Sequence, residues 1–299
     1  MNIATPHHAA RRPGSPGRAR PKLDQKAFER IAAIALADAG LDIAPSKMAM
    51  VHTRLARRLR ALGLADYEAY CSLIESPEGS DERREMISSL TTNVSHFFRE
   101  DHHFERLVQE VLPGLRKKIE AGQRVRIWSA GCSNGQEPYT IAMSILENYA
   151  LPEQADLRIL ASDIDPKVVA FARRGAYDER MVSGVAAELL EKYFTRQKTG
   201  TGTTWVTSQQ LKRLISFREL NLLKPWPMQG KFDVIFCRNV VIYFNEETQQ
   251  ELWKNFARIL HPGGWLFLGH SERVSEHYLD LLSPAGMTTY RRTDTPGAL

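Results

Sequence analysis

The sequence predicts an open α/β fold with a mostly parallel sheet, an all-helical domain in front of it and a small antiparallel β-insertion within it. Three observations carry this expectation. Short apolar strand candidates alternate with helical stretches from residue 123 onward, residues 21–90 space their apolar side chains at the helical period, and the chain between residues 175 and 214 exceeds what one crossover needs.

The helical part reads in order. Residues 27–39 carry Phe28, Ile31, Ile34 and Leu36 near the helical period, and Gly40 is a natural stop. Residues 47–62 form a second helix in which Val51, Leu55, Leu59 and Leu62 share one face and Arg54, Arg57 and Arg58 another, with Gly63 at its end. Arg60 adds a fourth base beside the arginine face. Such a face suits an acidic surface; the alternative is a solvated face whose arginines pair with local carboxylates. Two shorter helices are predicted over 65–74 and 80–90, parted by Pro77 and Gly79.

In the second part the strand candidates are residues 125–129, 157–162, 214–217, 232–237 and 265–269, with helices over 139–148, 166–174 and 248–259. Strands separated by helices of this length pair in parallel, and a ligand then sits beyond their carboxyl ends. The small-residue turn at 130–135 leads into a helix near Pro138, a residue suited to a first helical turn. Within the surplus chain, residues 199–207 are rich in turn formers and β-branched side chains and suit a small antiparallel hairpin.

Composition excludes several classes. The 299 residues, 43% of them hydrophobic, can bury a full core. No run approaches the roughly 18 apolar residues of a membrane span, and the N-terminus lacks the apolar stretch of a secretory signal, so a cytoplasmic location without membrane insertion is expected. Cys71, Cys132 and Cys237 show no Cys-x-x-Cys spacing, which speaks against a disulfide framework and against a metal site. The net charge of +5 owes most to Arg11, Arg12, Arg18 and Arg20, in a Pro- and Gly-rich segment without acids. Residues 1–20 are therefore expected to be disordered, and no specific nucleic-acid partner is expected.

The strand ends indicate the ligand. Gly131 and Gly135 allow close backbone approach, but their spacing is not Gly-x-Gly-x-x-Gly, and no Gly-Lys-Ser/Thr for a triphosphate occurs. A pyrophosphate ligand, and with it a nicotinamide dehydrogenase, is disfavoured. Asp163 and Asp165 after the second strand suit two ribose hydroxyls. A nucleoside without phosphates follows, and a sulfonium nucleoside is the better choice. Cys132 has no arguable partner histidine for nucleophilic work. The adjacent His102 and His103 make poor joint metal ligands and read as surface residues.

Five segments together resemble the chemotaxis receptor methyltransferases, the CheR family: Thr91-Thr92-Asn93-Val94-Ser95-His96-Phe97-Phe98-Arg99-Glu100; Gly135-Gln136-Glu137-Pro138-Tyr139; Ala161-Ser162-Asp163-Ile164-Asp165; Asp233-Val234-Ile235-Phe236-Cys237-Arg238-Asn239-Val240-Val241-Ile242-Tyr243-Phe244; and the strand after Pro262-Gly263-Gly264. The resemblance covers about residues 25–290. Gln136 stands where the family commonly has an acid, and Asn134 and Ser95 where threonine is frequent.

The resemblance implies a class I S-adenosylmethionine-dependent methyltransferase with an N-terminal helical domain. Its implied reaction moves the methyl group of S-adenosylmethionine to glutamate carboxylates on the cytoplasmic helices of chemoreceptors, leaving S-adenosylhomocysteine. Asn93, Ser95, Arg99, Glu137, Asp163, Asn221, Leu222, Arg238 and Asn239 would line the cofactor pocket together with Gly131. Asp163 would hold the ribose, and Glu137 would attract the cofactor's amino group. Arg99 and Tyr243 are the candidates near the reacting centre, Arg99 to orient a carboxylate and Tyr243 to donate to the substrate. The bland alternative pairs Arg99 with Glu100 or Asp101 and leaves Tyr243 a packed aromatic. Arg54, Arg57, Arg58 and Arg60 become receptor-recognition candidates. The insertion becomes a β-subdomain that in some members takes a receptor C-terminal peptide as an added strand. The implied division is a tail at 1–20, a helical domain at 21–90, a linker and helix at 91–122, a methyltransferase domain at 123–292 with the insertion at about 176–212, and a tail at 293–299, in a monomer. Two other readings stand beside it: an adaptor that binds S-adenosylmethionine without turnover, and a nucleic-acid methyltransferase.

Overall fold

The computed structural model describes residues 21–91, 93–200 and 202–294. The segment expected to be disordered, 1–20, and the last five residues of the C-terminal tail lie outside these.

Four helices build the front domain. In α1 (Gln25–Ala39) the Asp24 carboxylate accepts from the Ala27 N–H at the N-cap, Gly40 closes the helix in the left-handed region, and Phe28 and Ile31 are buried. In α2 (Met48–Leu62) Val51, Leu55 and Leu59 face the core. Leu62, placed on that face by its spacing, is 40% exposed at the last residue of the helix. α3 (Tyr67–Glu75) and α4 (Ser80–Leu90) complete the cluster, with Tyr70, Ile74 and Met86 fully buried.

After α4 the chain runs through α5 (His102–Arg106), a π turn (Leu107–Val111) and α6 (Leu112–Glu120) to the sheet. His103, expected at the surface, is fully buried: its Nε2 meets Thr288 Oγ1 at 3.0 Å and its ring packs edge-on against Phe267. Burial pushes its imidazole down to about pH 3, so it is neutral.

The sheet begins with β1 (Val125–Ala130), α7 (Gln136–Asn148), β2 (Leu157–Asp163) and α8 (Pro166–Arg174). The insertion follows as β3 (Ala176–Asp178), α9 (Ala187–Tyr193), β4 (Phe194–Thr199) and β5 (Gly202–Thr207), an antiparallel sheet ordered β3-β5-β4. The expected hairpin is thus present and gains a third strand. Then come α10 (Gln209–Leu214), β6 (Ile215–Glu219), β7 (Phe232–Cys237), α11 (Glu246–Ile259), β8 (Leu260–Leu268), β9 (Leu282–Gly286) and β10 (Thr289–Arg292). Leu214, expected to open a strand, closes a helix that the Ser208 hydroxyl caps.

The main sheet is ordered β6-β2-β1-β7-β8-β10-β9. β6, β2, β1, β7 and β8 pair in parallel, and β10 runs antiparallel to β8 and β9. Along β7 the side chains alternate between two apolar cores, Val234 and Phe236 to one, Ile235 and Cys237 to the other. The helical domain caps the carboxyl end of the sheet. Ser88 Oγ donates to Asp165 Oδ2 at 2.8 Å, Asn221 Nδ2 to the Asp38 carbonyl at 2.7 Å, and the Asp42 N–H to the Tyr243 carbonyl at 2.8 Å.

Candidate active site

A cleft enclosing about 950 Å³, its open mouth included, lies between the carboxyl ends of the parallel strands and the helical domain. Its size and its position at the strand ends suit a small-molecule ligand. Gly131 forms its floor at φ 81°, and a Cβ there would stand 2.2 Å from Val240 Cγ2, so only glycine fits. The turn is pinned to β2, since Gly131 and Cys132 both donate to the Ser162 carbonyl.

Asp163 ends β2. Its Oδ2 accepts from the Ser133 N–H at 2.8 Å and its Oδ1 from the Asp165 N–H at 3.0 Å, which aims the carboxylate and leaves lone pairs toward the cleft. Burial pushes its carboxyl up, against those backbone donors. Ser133 Oγ beside it is buried without a partner among the described residues.

The Arg238 guanidinium, almost wholly buried, organises the cleft wall. It bonds Glu137 Oε2 and meets Glu100 Oε2, each at 3.2 Å, donates to the Arg99 carbonyl, and lies over the Phe104 ring. Glu137, in the first turn of α7, also accepts from Ser129 Oγ at 2.6 Å; burial pushes its carboxyl up against the opposing pull of Arg238 and Ser129. Burial works to raise Glu100 as well, but Arg238 and the His270 N–H outweigh it and hold its carboxyl at about 2. Glu100 and Phe98 both have positive φ, so Arg99 sits between two left-handed residues and is held there through its carbonyl.

Of the residues expected around the cofactor, Asn93, Ser95, Arg99, Gly131, Glu137, Asp163, Leu222, Arg238 and Asn239 all line this cleft. Asn221 does not. Its Nδ2 is spent on the Asp38 carbonyl and its Oδ1 on the Leu223 N–H, so it joins the two domains while Leu220 and Leu222 face inward. Asn93 Nδ2 donates to Asp165 Oδ2 at 3.2 Å. Asn134 and Gln136, two of the departures from the family pattern, reach the Asn93 and Ser95 carbonyls at 3.4 Å and tie the linker to the turn. Tyr243 lines the cleft, and its hydroxyl has no hydrogen-bond partner among the described residues. Arg99 pairs with neither Glu100 nor Asp101; its Nη1 reaches the Val94 carbonyl at 2.9 Å.

The four arginines of α2 separate. Arg54 bonds the Leu90 and Thr91 carbonyls at the end of α4, and Arg58 holds Glu82 in a two-point pair with Glu85 at 3.1 Å. Arg57 and Arg60 are exposed; Arg60 reaches only the Ala56 carbonyl within its own helix. Sequence reasoning missed Glu100 and Glu272. Glu100 stood in a quoted motif beside the chosen Arg99; Glu272 carries no local signal, since four of its five donors lie some thirty residues earlier.

The donor set fits S-adenosylmethionine: an aimed carboxylate for a diol, a Ser133 hydroxyl unpartnered among the described residues, and a buried carboxylate in Glu137 for an ammonium group. Fold and site together define a class I S-adenosylmethionine-dependent methyltransferase. The chain belongs to the CheR family: residues 93–290 match the model "CheR methyltransferase, SAM binding domain" and residues 26–91 the model "CheR methyltransferase, all-alpha domain". It is 48% identical over 256 residues to a probable chemotaxis protein methyltransferase of Rhizobium etli, covering 86% of this chain and 96% of that one. It is 41% identical over 265 residues to the chemotaxis protein methyltransferase of Escherichia coli, covering 88% and 89%. Chemotaxis protein methyltransferase 2 of Pseudomonas aeruginosa is 37% identical over 255 residues, covering 84% and 87%. The chain is thus a methyltransferase of chemotaxis that uses S-adenosylmethionine.

Proposed function

We propose that this enzyme methylates glutamate side-chain carboxylates on the cytoplasmic helices of chemoreceptors, giving methyl esters, and that it does so in the cytoplasm. One observation carries the choice of a carboxylate. The acids of the cleft wall are taken up by the protein and the cofactor, Glu137 by Arg238, Ser129 and the cofactor's ammonium group and Asp163 by two backbone N–H groups and the ribose, whereas Arg99 and Tyr243 present donors. Such a mouth favours an anionic acceptor. S-adenosylmethionine bound in the cleft supplies an activated methyl group on a sulfonium. A glutamate with a pKa of about 4.3 is already ionised at neutral pH, so the chain has no proton to remove. Its residues serve to align the attacking oxygen and to exclude water from it. Arg99 orients the carboxylate, and the Tyr243 hydroxyl donates to its second oxygen.

Arg57 and Arg60, free of carboxylate partners among the described residues, are the recognition groups toward an acidic receptor helix. β4 is an edge strand of the insertion sheet with an exposed face, which suits it to take a receptor C-terminal peptide by strand addition. The deciding experiment is a labelled-methyl assay with receptor cytoplasmic domains. Base-labile label on receptor glutamates is expected. Label in RNA or DNA instead, or none on any receptor despite tight cofactor binding, overturns the reading in favour of a nucleic-acid enzyme or an adaptor.

A further inference from the structure

Glu272 lies in the turn after β8 and is 3% exposed. Its Oε1 accepts from the backbone N–H groups of Val240 at 2.8 Å, Val241 at 2.7 Å and Ile242 at 3.3 Å, and its Oε2 from those of Asn239 at 2.9 Å and Gly269 at 2.6 Å. Five donors from two separate turns therefore converge on one carboxylate. The first of these turns carries Asn239, Val240 and Tyr243, all of which line the cleft. Asn239 is held at φ 59°, a region that a non-glycine residue occupies only when its surroundings enforce it. The turns also touch: a Cβ on Gly269 would stand 2.7 Å from the Asn239 nitrogen.

We infer that Glu272 is a positioning residue for methyl transfer, one that gathers the 239–242 backbone and so sets Asn239 and Val240 against the cofactor and Tyr243 against the substrate. An ionised carboxylate only accepts, which matches five N–H groups. A glutamine of the same size cannot replace it, because its NH2 would point at N–H donors whichever way it turned. Either one of its faces loses Asn239 and Gly269 or the other loses Val240, Val241 and Ile242. The inference rests on the cleft being the cofactor site, which substitution of Asp163 tests separately.

The test is Glu272→Gln, with Glu272→Asp as the conservative variant and Leu115→Ala as a core substitution away from both turns. Cofactor affinity is measured calorimetrically with S-adenosylhomocysteine, turnover with a receptor domain, and the fold by circular dichroism and thermal unfolding. Glu272→Gln is expected to raise Kd at least tenfold and lower kcat by a similar factor, and Glu272→Asp to recover part of both. Leu115→Ala is expected to lower the thermal midpoint and leave Kd within twofold. A folded Glu272→Gln enzyme that binds within twofold of the parent overturns the inference. If that variant does not fold, Glu272→Asp decides: a Kd at least threefold higher supports a positioning role, and an unchanged Kd with a lowered midpoint reduces Glu272 to a structural clamp.

Discussion

Replacing Asp163 by Asn removes a charge while leaving size unchanged, and the geometry sets what is lost. Both carboxylate oxygens face fixed backbone donors, Ser133 N–H at 2.8 Å and Asp165 N–H at 3.0 Å. An amide offers one oxygen, so its NH2 opposes one of these donors, and leaving a buried donor unsatisfied costs about 1–3 kcal/mol. Part of that is offset, because burial already disfavours the charged form of Asp163. The stability loss should therefore fall at the low end of the range. The cofactor loses more. Two hydroxyl donors each forming a charge-assisted hydrogen bond of about 1.5–3 kcal/mol would face one neutral acceptor of about 1 kcal/mol, a net loss of roughly 2–5 kcal/mol. At about 1.4 kcal/mol per decade this is roughly a 30- to 4000-fold rise in Kd. Titration calorimetry with S-adenosylhomocysteine measures it, with urea unfolding alongside to confirm the fold. A Kd within threefold of the parent would refute the placement of the ribose on Asp163.

Other perturbations separate the surfaces. The double substitution Arg57→Glu and Arg60→Glu should raise KM for a receptor domain about tenfold at low ionic strength, less as salt rises, with Kd for S-adenosylhomocysteine unchanged; equal loss of cofactor affinity would undo the separation. Arg58→Glu should instead cost about 1–3 kcal/mol of stability in urea unfolding, because it strips the partner from buried Glu82. Tyr243→Phe should lower kcat about fivefold, corresponding to a hydrogen bond of about 1 kcal/mol, without moving the thermal midpoint. A lowered midpoint would show that the hydroxyl has a structural partner. His103 makes stability pH-dependent. With its folded pKa at about 3 against an ordinary 6.5, the unfolded chain takes up a proton between those values that the folded chain does not. Its contribution is whole above pH 6.5 and is lost as pH falls toward 3, by about 1.4 kcal/mol per unit, or about 2 kcal/mol between pH 8 and 5. His103→Gln should remove that part of the slope; identical slopes in urea unfolding at the two pH values would contradict the assignment.

The sequence by itself determined what local pattern can carry. Helices α4 and α8 and strand β7 were legible to the residue, because apolar spacing, capping residues and proline act within a few positions of one another. Most of the cleft was legible too, since the chemistry of the strand ends lies in contiguous motifs. Tertiary structure decided whatever depends on partners far along the chain. β10 pairs with β8, which the fold brings beside it, and β9 joins the sheet only through β10; no alternation in their short spans announced them. Four arginines on one helix look alike in sequence; Glu82, twenty-four residues on, holds Arg58 inward, and the end of α4 takes Arg54, leaving Arg57 and Arg60 to the solvent. Asn221, expected in the cofactor pocket, instead bonds the Asp38 carbonyl of the helical domain. The carboxylate of Glu272 met Asn239 only because β7 and β8 lie side by side, and side-chain charge acquires a role only when folding fixes what stands within hydrogen-bonding distance of it.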